Sequence, residues 1–351
     1  MDRFGALQLE YVTASDRSSR RRRGVLGGAV FDRLADETRA CGADLGFPVA
    51  QVCTPVLGEE REVLELWRIG DDVRAGTLGR IHYTCSPDIL FGSLSLHEDD
   101  VPLAAWQARE RSRLYEATAR AYREIFATLA AVGHPYLLRV WNYVPDINVE
   151  THGLERYRQF NGARQEALIA CGRAVAGNVP AASALGHASG SPLVIYFLAS
   201  RVAPAFIENP RQVSAYHYPA QYGPCSPAFS RASALGRKEG ATLFISGTSS
   251  IVGHQTLHAG DPAAQTRETL RNIEALLEEA GRTVLGNTLP LESLAYKVYV
   301  RDPRDLPLIR AVLAEALGPD ASVLYLKADI CRRDLAVEIE AVGGRGLKPG
   351  A

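Results

Sequence analysis

A strand–helix–strand–helix–strand order that occurs twice is the feature that most constrains this chain. The first copy has a strand at 89–96, a helix from about 104 to 132, a strand at 136–144, a helix at about 154–173 and a buried strand at 191–199. On its first helix Leu114, Ala117, Ala121, Ile125 and Leu129 recur at helical spacing, and Gly133 is a natural stop. The second copy starts with a strand at 241–252. A helix opened by Asp261 and Pro262 follows, with Leu270, Ile273, Leu277 and Ala280 inward and Gly281 at its end. Next come a strand at 294–300, a helix capped by Asp305, and strands at 323–326 and 335–339. Local wording recurs as well: LRVWNYVPD at 138–146 stands beside YKVYVRDP at 296–303. Sheets with helices segregated to one face satisfy such an order. Residues 1–88 are harder to parse, with a strand-like alternation at 7–13 and a segment at 62–69 that suits strand or helix.

The 351 residues give room for about two domains. An apolar fraction of 46%, a charged fraction of 23% and a net charge of -1 are those of an ordinary globular protein and call for neither nucleic acid nor membrane. The longest apolar runs, such as 193–199, are too short to span a bilayer. Arginines at 20–23 precede the apolar stretch 24–30, in the outline of a twin-arginine export signal. The stretch is short, however, and Asp32, Arg33, Asp36 and Glu37 follow at once, so a solvated basic segment is expected. Cys41, Cys53, Cys85, Cys171, Cys225 and Cys331 show no C-x-x-C spacing, which points to a reduced, cytoplasmic protein.

No dinucleotide fingerprint, P-loop, nucleophile elbow or H-E-x-x-H is present. His254 and His258 are four apart, but they sit in a loop without a third ligand nearby, so they are expected to order that loop rather than bind metal. The expected chemistry is therefore free of metal and cofactor, or is pure binding. Several residues suit an anionic ligand. Tyr157 and Arg164 are seven apart, two turns of one helix face. Tyr216 and Arg231 lie in the aromatic, Pro/Gly-rich segment 206–237. Arginine grips carboxylates in bidentate fashion, and tyrosine adds a ring with a directional hydroxyl. On the last strand Leu335, Val337 and Ile339 share one face and Glu338 and Glu340 the other. Burial of that second face would raise a carboxyl into the range useful for proton transfer. Periodicity does not choose between the two glutamates.

Three segments together resemble the chorismatase family, whose C-terminal half belongs to the RidA/YjgF-like group. They are the strand–loop–helix TLFISGTSSIVGH to G at 242–281, NPRQVSAY with QYGP at 209–224, and DICRRDLAVEIE at 329–340. The resemblance runs from about 89 to 342. It implies an α+β fold of two RidA/YjgF-like halves, mixed sheets with helices packed on one face, divided into 1–150 and 151–351. The site would lie between the C-terminal sheet and segment 206–237. It implies removal of pyruvate from chorismate without cofactor or metal, with Tyr157, Arg164, Tyr216 and Arg231 holding the substrate and Glu338, rather than Glu340, as acid/base. In this family a cysteine seven residues before the glutamate accompanies 3-hydroxybenzoate formation, and Cys331 occupies that place. A hydrolytic chorismatase giving a dihydroxycyclohexadiene acid, an imine deaminase of RidA type, and a non-catalytic binder of small aromatic acids are the alternatives. RidA-type proteins are trimers, so a chain holding two such halves is expected to be a monomer or a trimer.

Overall fold

A computed structural model describes residues 7–13, 23–32, 46–58, 60, 62–70, 72–102, 111–236 and 240–344. The repeated order is realised as two six-stranded sheets of the same topology. The first half contains β5 (Arg74–Leu78), β6 (Ile81–Cys85), β7 (Ile89–Leu96), α1 (Arg113–Val132), β8 (Tyr136–Pro145), α2 (Arg156–Ala170), β9 (Ala181–His187) and β10 (Leu193–Ser200). The second contains β11 (Ala205–Ile207), β12 (Ala232–Leu235), β13 (Thr242–Thr248), α3 (Pro262–Ala280), β14 (Ala295–Val300), α4 (Leu306–Leu317), β15 (Val323–Lys327) and β16 (Val337–Gly344). The strand orders are β9-β8-β10-β7-β6-β5 and β15-β14-β16-β13-β12-β11. In each, the outermost pair is parallel and joined through a helix (β8 with β9, β14 with β15), and the other pairs are antiparallel. The similar segments at 138–146 and 296–303 fall on the equivalent strands β8 and β14. Because β9 and β10 complete the first sheet, strand pairing carries the first half to Ser200, past the division expected at 150.

The N-terminal stretch, unparsed from sequence, forms a third sheet. Its strands β1 (Gln8–Thr13), β2 (Val25–Asp32), β3 (Val49–Val52) and β4 (Glu62–Arg68) pair in the order β1-β4-β2-β3, with β2 and β3 parallel. This is the β7-β10-β8-β9 part of the six-stranded pattern. The segment 62–69, open to strand or helix from sequence, is therefore strand, and 24–30 falls largely within β2. The arginines at 20–22 lie outside the described residues.

Each six-stranded sheet turns one face to its helices. On β10, Ile195, Phe197 and Ala199 join Leu114, Ile125 and Phe160, and on β16, Ile339 and Ala341 join Ile273, Leu277, Ile309 and Leu313. The opposite faces meet the N-terminal sheet in one shared core. There Trp67 of β4 lies 5.8 Å from Trp141 and 6.0 Å from Phe244, touching both halves.

Local signals explain the element ends, with three corrections. Ser112 accepts from the Tyr115 amide and starts α1, so Arg111 and Ser112 are not helical; the expected start near 104 lies outside the described residues. Gly133 ends α1 in the left-handed region with φ of 79°. Asp261 caps α3 through the Ala264 amide with Pro262 following, as expected. Asp305 does not cap α4 with its side chain. A short 3₁₀ turn at Pro303–Asp305 starts the helical path earlier, and Asp302 accepts from the Arg304 amide instead. The strand expected at 241–252 ends at Thr248, and Ile251–Val252 belongs to a separate small hairpin. No helix among the described residues is long and apolar enough to cross a membrane.

Charged side chains sit at the centre of the shared core. Lys297 of β14 is 2% exposed and contacts Glu65 of β4, Glu340 of β16 at 2.9 Å and the Tyr196 hydroxyl of β10 at 3.0 Å. Arg139 of β8 reaches the same Glu340 at 2.6 Å. Burial alone would depress the lysine's pKa, but Glu340 and Glu65 outweigh it and hold the ammonium well above its ordinary value. Removing one member of such a set leaves an uncompensated buried charge. Lys297→Met is expected to lower stability by about 3–5 kcal/mol, measured by urea unfolding of the purified protein.

Candidate active site

A cavity of about 390 Å³ opens between the two halves. The first half supplies Glu150, Glu155, Tyr157 and Arg158 from a small hairpin and the start of α2. The connecting segment supplies Tyr218, Tyr222, Pro227, Phe229 and Arg231. The second half supplies Gly247, Ser249, Ile251, Cys331, Arg332, Arg333, Asp334 and Glu338. The cavity thus lies between the C-terminal sheet and segment 206–237, and the first half closes its third side.

The two glutamates of β16 lie on one buried face but in different surroundings. Glu340 accepts from Arg139, Lys297, Ser183 Oγ at 2.7 Å and Trp141 Nε1 at 2.7 Å. Burial would raise its pKa, but the two cations overcome that and hold it below the ordinary value, as a carboxylate. Glu338 lines the cavity, and no hydrogen bond to its carboxyl is formed among the described residues. Burial and, second, the charge of Glu340 push its pKa up to about 8, against the pull of Arg139, Arg301 and Arg231. Glu338 is therefore a protonated acid at neutral pH, on the wall of an open volume. A glycine makes that seat possible: a Cβ on Gly247 would overlap Glu338 Oε1.

Of the six residues singled out from sequence, Tyr157, Arg231, Cys331 and Glu338 line this one cavity. Burial, and next the proximity of Glu338, push the Cys331 thiol up to about 12, so it stays neutral. Burial and Cys331 likewise raise the Tyr157 phenol. Arg231 donates to the Val213 carbonyl at 2.9 Å and the Tyr218 hydroxyl at 2.8 Å, and its guanidinium lies over Phe229 at 5.1 Å. Arg164 and Tyr216 are not on the wall. Arg164 is buried behind it, 3.3 Å from Asn161 Oδ1 and over the Phe160 ring, with its Nε unpartnered. The two-turn spacing does put Tyr157 and Arg164 on the same helix, but Arg164 points deeper. Tyr216 is half-buried against His217. Neither Arg164 nor Arg231 has a carboxylate within 4.0 Å among the described residues, which leaves both free for an anion.

Sequence reasoning missed Tyr218, Tyr222 and Arg332. Their signal was the clustering of tyrosines in segment 206–237 beside an arginine-rich turn at 332–333. The two histidine side chains meet different partners: His254 Nδ1 lies 3.1 Å from the Tyr222 hydroxyl, which donates to the His254 carbonyl, and His258 Nε2 lies 3.7 Å from Glu268. Among the described residues no three His, Cys, Asp or Glu are grouped to hold a metal ion.

Residues 65–199 match the family described as Chorismatase FkbO/Hyg5-like, N-terminal, and residues 226–343 match Endoribonuclease L-PSP. A 3-hydroxybenzoate synthase of Streptomyces hygroscopicus is 40% identical over 255 residues, 70% of this chain and 74% of that protein. A chorismatase of Streptomyces rapamycinicus is 38% identical over 292 residues, 81% of this chain and 83% of that one. A crystal structure of chorismatase at 1.08 Å superposes with a TM-score of 0.85 at 33% identity, covering 97% of this chain and 99% of that one.

The electrostatics of the glutamate pair are directly measurable. In infrared difference spectra, the protonated-carboxyl band lost in Glu338→Gln should persist at pH 7 and disappear as pH rises through about 8. Glu340→Gln removes a neighbouring negative charge, so the same band should disappear at lower pH. A band already absent at pH 6 in the parent protein would show that Glu338 is an ordinary carboxylate.

Proposed function

The chain belongs to the chorismatase family, and from that membership we propose that it converts chorismate to 3-hydroxybenzoate and pyruvate, with Glu338 as general acid. The observation that carries this reading is a buried carboxyl held protonated to about pH 8, facing a cavity that also presents Arg231, Tyr157 and a neutral Cys331. An acid of that strength suits protonation of the methylene carbon of an enol ether. The C–O bond to the ring then breaks and the ether oxygen leaves as the carbonyl of pyruvate. The ring's own neighbouring hydroxyl captures the carbon that the ether leaves, returning its proton to Glu338 and forming a three-membered oxide. The oxide opens by breaking the bond from oxygen to the carbon that first carried the hydroxyl, and the hydrogen on the captured carbon is lost as a proton while the oxygen takes one up, which completes the aromatic ring. The two products together contain the atoms of chorismate, so no oxidant, reductant, cofactor or water is consumed.

Tyr157, Arg164, Tyr216 and Arg231 are proposed as the set that holds the substrate. Tyr157 and Arg231 act from the wall; Arg164 adds its positive charge from behind it, and Tyr216 flanks it in the connecting segment. Oriented cations in a water-poor pocket act strongly on a carboxylate. Cys331, an uncharged thiol beside the acid, is assigned to product choice: it fills space that a water molecule would need in order to compete with the ring hydroxyl. The thiols of Cys85, Cys171, Cys225 and Cys331, none of them in a disulfide, support a reducing, cytoplasmic setting. Three sheets that close one core within a single chain support a monomer.

Purified protein mixed with chorismate is expected to release pyruvate and 3-hydroxybenzoate in equal amounts, followed by chromatography. No pyruvate would sink the proposal, and pyruvate with a non-aromatic diol would sink only the product assignment. Glu338→Gln should lower kcat about a thousandfold. Because Glu338 acts in its protonated form, kcat/KM should fall about tenfold per unit above about pH 8. Cys331→Ala should keep pyruvate release and shift the ring product towards the hydrated diol; an unchanged product ratio would remove Cys331 from the mechanism.

A further inference from the structure

The cavity wall carries four arginines, Arg158, Arg231, Arg332 and Arg333. Arg158 is paired with Glu155 at 3.4 Å. Arg333 is exposed and donates to the Asn148 carbonyl. Arg231 and Arg332 remain, both shielded from solvent to a large degree and neither with a carboxylate within 4.0 Å among the described residues. Arg332 is also the most firmly aimed of the four. Its guanidinium lies 4.1 Å from the centre of the Tyr222 ring and 5.2 Å from that of Tyr218. Its Nη1 donates to the His254 carbonyl at 2.9 Å and to Thr256 Oγ1 at 3.4 Å. Its Nη2 is buried with no partner. A fork that is stacked, tethered on one arm and vacant on the other is pre-organised for an oxyanion. A buried donor left unpaired is a cost that such a ligand removes.

We infer that Arg332 is a further carboxylate anchor of the cavity, working beside Arg231, whose guanidinium lies 5.7 Å from the same Tyr218 ring. The inference rests on chorismate being the substrate, because chorismate carries two carboxylates and the wall offers two shielded, uncommitted arginines. It gives the loop at 253–256 a role: His254 acts through its backbone carbonyl to hold Arg332, with the imidazole as a neighbour of Tyr222. It also assists product release. Cleavage leaves one carboxylate on the ring product and one on pyruvate, so each product keeps a single anchor where the substrate had two.

The test uses Glu338→Gln protein, which should bind without turning over, titrated calorimetrically with chorismate and with each of its two methyl monoesters. Adding Arg332→Met is expected to raise the Kd for chorismate about 30-fold, the loss of a charge-assisted hydrogen bond. For one of the two monoesters the same change should raise Kd by less than about threefold, because the anchored carboxylate is already gone. Arg332→Lys, which keeps the charge and loses the fork, should fall between parent and Arg332→Met. A chorismate Kd unchanged within about threefold, or an equal loss on all three ligands, overturns the assignment, the second outcome marking a purely structural residue. Chorismate binding without pyruvate release by the parent enzyme would count against the proposed reaction alone. Absence of chorismate binding would overturn both.

Discussion

The buried cation Lys297 is the contact on which the rest of this molecule depends. It lies where the three sheets meet and touches Glu65 of the N-terminal sheet, Tyr196 of the first half and Glu340 of the second. An apolar core would hold three sheets together without regard to register. A buried charge set tolerates far fewer arrangements, because each displaced member is left unpaired in a medium that does not solvate it. Arg139 adds a second cation to the same glutamate, so Glu340 is satisfied from both halves of the chain.

That arrangement also sets the chemistry next door. Two carboxyls two residues apart on one strand face cannot ionise with equal ease. The one that receives the cations keeps its charge, and the other is left to burial and to its neighbour's field. Scaffold and acid are thus one electrostatic system: the charge on Glu340 that joins the sheets helps keep the proton on Glu338. The cavity completes the separation, giving Glu338 an open side where Glu340 has Trp141, Ser183, Arg139 and Lys297.

Much of this was legible in the sequence. The helical spacing in α1 and α3, the Gly133 stop and the Asp261 cap are local signals that tertiary packing only reinforced. The duplication was visible in element order and in the paired wording of β8 and β14. The N-terminal sheet was not, because short strands alone carry a weak pattern. The site was half legible. Tyr157, Arg231, Cys331 and Glu338 share a wall that joins residues up to about 180 positions apart, which spacing could not express but family resemblance could. Spacing alone could not separate Glu338 from Glu340; the difference lies in the partners of Glu340, which come from three other strands. Charged residues inside apolar strands, such as Lys297 between Tyr296 and Val298 and Glu65 between Leu64 and Leu66, were a signal of the central network that periodicity passes over as an interruption.

The position of the cavity on the seam between halves has one more consequence. Each half supplies part of the wall, and neither holds the complete set. In an assembly of separate subunits, such a site would form only as fast and as often as the subunits met, and its occupancy would fall on dilution. Joining the halves in one chain replaces that encounter with an effective concentration set by the linker, and removes the rotational and translational entropy of association. The covalent link therefore frees the seam from having to be adhesive, so its surface can be concave, polar and partly unpaired, as a binding pocket must be.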